Sequence, residues 1–399
     1  MYVSRLHKAV TLALTLAALT VGAGPVPALA QKTSTPSAFE TKAKYAVVMD
    51  AGANLMLFEK DAETLTVPAS MSKMMTLAVL FRELKAGRFT LDSEFKVSEH
   101  AWRTGGAPSG TSAMFAPLNT MVKISDLIPG VTVQSANDAS IIIAEGVSGS
   151  EEAFAKEMTA FARKIGMEQS TFVNATGLPA EGQLMTARDL AVLARHLAYT
   201  YPEYYHFFGM KEFRYRDKFT FHNRNPLVLA DIGVDGLMNG FVKEAGYAAT
   251  ISGTRGNQRL IVVVNGLETP KEREAEARRL LEWGFKSFKP FRLFDEGEKV
   301  SDALVWGGTS HYVTLVGDGN INIILPVTTS GKVSAAIVYD GPIKAPIKKG
   351  DQVAILRITS EDSSATNEIP LYAGDDIGQS NFAYRGIDSL LVLAFDWLL

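Results

Sequence analysis

Pro68-Ala69-Ser70-Met71-Ser72-Lys73-Met74-Met75-Thr76-Leu77-Ala78-Val79-Leu80-Phe81, with Ser135-Ala136-Asn137 beginning 65 residues after Ser70, is the stretch on which the reading of this chain turns. Met71, Met74, Met75, Leu77, Ala78, Leu80 and Phe81 place apolar side chains at helical spacing, so a helix begins close to Ser70. Three residues apart on a helix, Ser70 and Lys73 share a face. A serine hydroxyl attacks well only when a neighbouring base takes its proton, and a lysine serves as that base when burial and nearby positive charge lower its pKa. The start of a buried helix favours both steps, because its dipole opposes a cation and its free N–H groups stabilise an oxyanion. Taken alone, the four residues read equally well as a helix cap followed by a solvated lysine.

Chance supplies roughly one S-x-x-K in a chain of this length, and a second match stands at Ser93-Glu94-Phe95-Lys96. Phe89 to Val97 is short, polar-interleaved and strand-like, and a separation of three on a strand puts Ser93 and Lys96 on opposite faces. Ser135-Ala136-Asn137 lies between the apolar stretch Ile124 to Val133 and a helical run from Ala139 to Ala144. On an extended segment Ser135 and Asn137 point the same way, so one can pass a proton to a leaving amine while the other hydrogen-bonds a substrate amide. The triplet by itself also reads as a turn in which Asn137 or Asp138 caps the next helix.

In this order the elements resemble the active-site-serine penicillin-binding proteins, specifically the low-molecular-mass D-alanyl-D-alanine carboxypeptidases. The resemblance extends to Ala46-Val47-Val48-Met49-Asp50-Ala51, Leu57-Phe58-Glu59-Lys60, Ala101-Trp102 and Phe172-Val173-Asn174-Ala175-Thr176-Gly177-Leu178. It continues through Thr186-Ala187-Arg188-Asp189-Leu190, Asn223-Arg224-Asn225, Val234-Asp235-Gly236, Glu244-Ala245-Gly246-Tyr247 and Leu280-Leu281-Glu282-Trp283-Gly284-Phe285. It implies Ser70 as the acylated nucleophile, Lys73 as general base, Ser135 as proton relay and Asn137 as a holder of the substrate backbone. The N–H groups of Ser70 and Phe241 are implied as the oxyanion hole.

The family's third element, Lys-Thr-Gly, reads Met238-Asn239-Gly240 here, and only the glycine is kept. In the family this lysine and threonine receive the terminal carboxylate of the D-Ala-D-Ala stem. Met238 is uncharged, and Asn239 replaces only part of what a hydroxyl does. A buried carboxylate without its cation costs about 3–5 kcal/mol, or roughly two to four powers of ten in rate or affinity. Arg224 and Lys243 are the cations that could compensate. Otherwise Arg224 orders its own loop and Lys243 is a solvated turn residue.

Three functions follow from these motifs. The first is a periplasmic serine D-Ala-D-Ala carboxypeptidase that trims peptidoglycan stem peptides through an acyl-enzyme on Ser70, with weakened activity and with β-lactams as acylating inhibitors. The second is a catalytically impaired relative that binds peptidoglycan as a scaffold or regulates other cell-wall enzymes. A β-lactamase is disfavoured, since no E-x-x-L-N follows the S-x-N triplet to activate a deacylating water, and Glu168 to Asn174 has the wrong spacing.

Composition sets the surroundings. Arg5 and Lys8 precede an apolar run from Ala9 to Val21, and Ala28-Leu29-Ala30 fits a small-residue cleavage site, so 1–30 reads as a signal peptide. Its removal takes two of 40 basic and none of 43 acidic residues and leaves a mildly acidic chain, with no argument for nucleic-acid binding. There are no cysteines, and the six histidines show no ligand spacing, so no disulfide, metal or other cofactor is expected.

The fold class expected is α+β: a flexible leader at 31–43, then a serine β-lactamase/transpeptidase-like domain at 44–289 with an antiparallel sheet covered by helices. Short alternating runs after Pro290 predict a small β-sandwich at 290–376. The tail 377–399 ends in an apolar stretch, Ile387 to Leu399, too short to span about 30 Å of hydrocarbon. It suits peripheral membrane contact, packing on the β-domain or docking against another cell-wall protein.

Overall fold

The computed structural model describes residues 39–327, 333–360 and 363–381. The expected signal segment and the apolar end of the tail lie outside the described residues. The chain divides into two compact units between Ser287 and Phe288.

The first unit opens with strands β1 (Tyr45–Asp50) and β2 (Leu55–Lys60), followed by helix α1 (Lys73–Lys85). A small pair, β3 (Glu94–Lys96) and β4 (Met121–Lys123), precedes helices α2 (Ile124–Thr132), α3 (Asn137–Ser148) and α4 (Glu151–Lys164). Helices α5 (Ala187–Thr200) and α6 (Pro202–Tyr205) lead into the hairpin β5 (Glu212–Tyr215) and β6 (Phe219–His222). After the turn α7 (Pro226–Leu229) come β7 (Val234–Val242), β8 (Gly246–Arg255), β9 (Gln258–Leu267) and helix α8 (Pro270–Ser287).

Strands β2-β1-β9-β8-β7 form one antiparallel sheet with β7 at an edge. The alternation of β1 explains the layering. Ala46 and Val48 pack with Leu280, Leu281 and Phe285 of α8, while Val47 and Met49 face the opposite cluster with Met74, Leu77 and Phe81 of α1. A strand buried on both faces reads as a continuous apolar run, as Ala46 to Met49 does. Helix α1 is buried nearly all round, so only Arg82 and Lys85 near its end escape the core.

Residues 39–43, expected within a flexible leader, are instead pinned to this unit. Thr41 Oγ1 and Lys42 N donate to Glu276 Oε2 at 2.6 and 3.1 Å, Lys60 Nζ donates to the carbonyls of Thr41 and Ala43, and Phe39 stacks beside Trp283. A buried carboxylate on α8 thus gathers chain that composition alone marks as loose.

The second unit holds β10 (Phe288–Phe294), β11 (Ser301–Trp306), β12 (Tyr312–Val316), β13 (Ile321–Pro326), β14 (Val333–Val338), β15 (Ile343–Lys344), β16 (Gln352–Ser360) and β17 (Ser363–Ala373). Six strands form one sheet in the order β14-β16-β17-β12-β11-β15, and β10 pairs with β13 in a second. Ile321 and Ile323 of the second sheet share a core with Val313, Leu315, Leu356 and Leu371 of the first, which makes two layers. Ile377, placed by sequence in the tail, is buried in this core and bridges to Ile347.

Candidate active site

Ser70 sits in the tight turn Ala69–Ser72 that runs directly into α1. Ala69 holds φ of +50°, a left-handed conformation unusual for a residue with a Cβ and of the kind that collects at functional sites. No side-chain cap bond is made at the start of the turn or of α1, so Ser70 serves no capping role. Lys73 is 1% exposed, and its Nζ lies 3.1 Å from Ser70 Oγ and donates to Thr176 O at 2.7 Å. Burial, and secondarily the charge of Arg224, lower its pKa to about 7. A lysine so placed is partly neutral at neutral pH and able to take a hydroxyl proton.

The loop 172–178 positions that lysine. Asn174 Oδ1 accepts from Thr176 N and Gly177 N, Thr76 Oγ1 on α1 donates to Ala175 O, and Gln183 ties the loop to Ser72 Oγ. Gly177 has φ of +80°, and a Cβ there would stand 1.9 Å from Ala69 O. Only glycine allows the loop to press against the turn that carries Ser70. Thr176 acts through a carbonyl and has no side-chain signature in the sequence. The signal that could have found it is Gly177 at the end of Asn174-Ala175-Thr176-Gly177.

Ser135 and Asn137 are joined differently from the expectation. The segment is not extended: Ser135 N donates to Val131 O and Ala136 N to Gly130 O, so the chain continues from α2, and Ser135 adopts φ of +57°. Helix α3 then starts at Asn137 without a side-chain cap. Asn137 Nδ2 donates to Thr111 Oγ1 at 2.9 Å, and Asp138 clamps Met114 N and Ala116 N. Ser135 Oγ and Asn137 Oδ1 are buried and without partners among the described residues. Buried polar atoms are seldom left unpaired unless a ligand or water completes them.

Strand β7 closes the cleft. A Cβ at Gly240 would stand 3.0 Å from Ala69 Cβ and 3.2 Å from Pro68 O, so the strand's main chain lies on the turn that carries Ser70, with Phe241 the next residue along the strand. The Phe241 ring is 53% exposed and stacks on Tyr247 at 4.2 Å. Met238 is buried in the main core opposite Thr250, whose hydroxyl donates to Met71 Sδ. Asn239 Nδ2 donates to Arg224 O at 2.9 Å.

Of the two candidate cations, Arg224 is in the cleft and Lys243 is not. Arg224 N donates to Val133 O and its Nε to Gln134 Oε1, both at 3.3 Å, next to Ser135. The residue reaches solvent on one side, while the protein on the other lowers its pKa by desolvation. Lys243 is exposed on the turn between β7 and β8. The second S-x-x-K also stays outside: Ser93 lies before β3 rather than in it, and its Oγ accepts from Thr90 N. No cluster among the described residues could hold a metal ion.

A serine–lysine pair on a turn entering a buried helix, at the edge of an antiparallel sheet, is the arrangement of serine acyl-transfer enzymes. Residues 30–269 match the family described as D-alanyl-D-alanine carboxypeptidase, peptidase S11, and residues 288–379 match the C-terminal domain of penicillin-binding protein 5. The chain belongs to this low-molecular-mass penicillin-binding protein family. It is 30% identical to D-alanyl-D-alanine carboxypeptidase DacA of Escherichia coli K12 over 99% of this chain and 98% of that protein. It is 32% identical to DacF of Bacillus subtilis over 86% and 87% of the two chains. Penicillin-binding protein 5 of Haemophilus influenzae superposes with a TM-score of 0.77 at 31% identity, covering 86% of this chain and 100% of that one. Penicillin-binding protein D2 of Listeria monocytogenes, solved in an ampicillin-bound form, is similar at 27% identity and a TM-score of 0.54, covering 62% of this chain and 99% of that one.

Proposed function

We propose that the chain is a D-Ala-D-Ala carboxypeptidase that removes the terminal D-alanine of peptidoglycan pentapeptides through an acyl-enzyme on Ser70. The reading is carried by the 3.1 Å contact between Ser70 Oγ and a Lys73 that burial holds near neutrality. Neutral Lys73 takes the hydroxyl proton as Oγ forms its bond to the penultimate D-Ala carbonyl carbon. The N–H groups of Ser70 and Phe241 receive the oxyanion. Asn137 Oδ1, a free acceptor, takes a substrate N–H. As the C–N bond breaks, the proton reaches the leaving amine through Ser135 Oγ, and water then attacks the ester and restores the free serine.

The leaving residue ends in a carboxylate, and Met238 gives it no cation. Arg224 takes that role, with turnover weakened because a single surface-facing guanidinium replaces a lysine and a hydroxyl. Similarity to an ampicillin-bound relative supports β-lactams as acylating inhibitors. The leader-like 1–30 supports export to the periplasm, and no described helix is long and apolar enough to cross a membrane.

Release of D-alanine from a pentapeptide muropeptide by the mature protein, above a Ser70→Ala blank, is the expected result. Binding of the muropeptide without release would favour the alternative of a peptidoglycan-binding regulator, a reading that the burial of Met238 keeps in view.

A further inference from the structure

Arg224 is held at three points, each by a residue of the cleft wall: its N–H by Val133 O, its carbonyl by Asn239 Nδ2, and its Nε by Gln134 Oε1. The bonds themselves fix how the two amides are turned. A carbonyl can only accept, so Asn239 must present its nitrogen to Arg224 O. Gln134 donates its own nitrogen to Ala113 O at 3.2 Å, which leaves its oxygen for the guanidinium. With Nε engaged, the two Nη groups have no hydrogen-bond partner among the described residues. They are the planar fork that a carboxylate accepts in two parallel bonds.

Resting on the carboxypeptidase reading, we propose that Gln134 and Asn239 are positioning residues that hold Arg224 as the receptor for the substrate's terminal carboxylate, in place of the lysine missing at Met238. Asparagine at 239 then has its own purpose. A threonine hydroxyl sits one bond nearer the main chain than Asn239 Nδ2 and falls short of the Arg224 carbonyl. Gln134 adjoins the relay residue Ser135, so the same loop that supplies the proton also orients the cation.

The test separates recognition from turnover. Full-length protein carrying Ser70→Ala is titrated with an acyl-D-Ala-D-Ala peptide and with the same peptide as its C-terminal amide. The acid is expected to bind more tightly than the amide. Arg224→Ala should abolish that preference, and Gln134→Met should reduce it about tenfold, the weight of one hydrogen bond to a charged group. Gln134→Glu holds the guanidinium but neutralises it, and should lose the preference as well. Asn239→Ala should show a smaller drop in the same direction and serves if Gln134→Met does not fold. Amide affinity should fall far less than acid affinity in each variant, whereas a merely structural role would lower both together.

Equal binding of acid and amide, or binding of neither, overturns the proposal. So does a preference that disappears with Arg224→Ala but survives both Gln134→Met and Asn239→Ala. Absence of D-alanine release by the unmutated protein, with the acid preference intact, would instead remove the catalytic reading and leave the carboxylate receptor standing.

Discussion

On the helix side of the cleft, Ser70 and Lys73 keep their side chains, and neighbours from three other segments support them. Across from them, β7 contributes main chain: Gly240 lies on the Ser70 turn with Phe241 next along the strand, while Met238 is buried among apolar side chains and Asn239 bonds a backbone carbonyl. The difference follows from what each side contributes. A nucleophile and its base must be particular atoms at one place. A charge that receives a carboxylate can come from any element near enough, and Arg224 reaches the cleft from the segment between β6 and α7.

The contrast breaks most severely at the nucleophile. Ser70→Ala should lower acylation by a fluorescent penicillin by about four powers of ten or more, and measurable labelling of that variant would move the nucleophile elsewhere. Next is the main-chain role of β7. Gly240→Val puts branched carbon into a space with 3.0 Å of clearance, and should lower acylation by roughly a hundredfold as Phe241 N–H shifts. A normal acylation rate in that variant would show that β7 does not build the oxyanion hole.

Lys73→Met sharpens the comparison by separating chemistry from stability. Acylation should be lost while the protein becomes more stable. The lysine titrates near 7 when folded against 10.5 ordinarily, so from about pH 7 to 10.5 the unfolded chain binds a proton that the native one does not. Stability therefore rises with pH across that window, and the burden of Lys73 is greatest below it. Thermal unfolding at about pH 6 should show Lys73→Met more stable by roughly 2 kcal/mol, a gain that shrinks toward pH 10. The same titration sets activity: the acylation rate should rise through a midpoint near 7 and level off above it, as the neutral base accumulates. A flat profile across that range would remove Lys73 as the base.

The smallest effect is expected at the altered motif itself. From sequence, Met238→Lys together with Asn239→Thr promises a rise in turnover of at least about tenfold. With Arg224 already at the cleft, Met238→Lys should change the rate of D-alanine release by less than about tenfold and should cost stability, since it places an amine among apolar groups. A larger gain would show that Arg224 does not fill the gap.

Much of the architecture was legible because periodicity and punctuation carry it: the apolar spacing from Met71 to Phe81 and the short runs of the second unit both appear as read. The strand β10 was less so, since it carries Pro290 and is largely exposed. At the site, spacing paired Ser70 with Lys73. It misjudged the conformation of Ser135, because a φ of +57° comes from the way α2 ends and α3 begins, not from the residue itself. Thr176 was invisible because it works through a carbonyl that every residue has.

Residue type and local spacing carry the class of fold, the serine–lysine pair and the absence of a cation at 238. It took the folded chain to show that Arg224 and not Lys243 stands in the cleft, that Met238 belongs to the core, and that Lys73 is dry enough to lose its proton near neutrality. Each of those depends on what residues distant in the chain exclude or supply: solvent, charge and hydrogen-bond partners are properties of the assembled neighbourhood, and no stretch of sequence carries them alone.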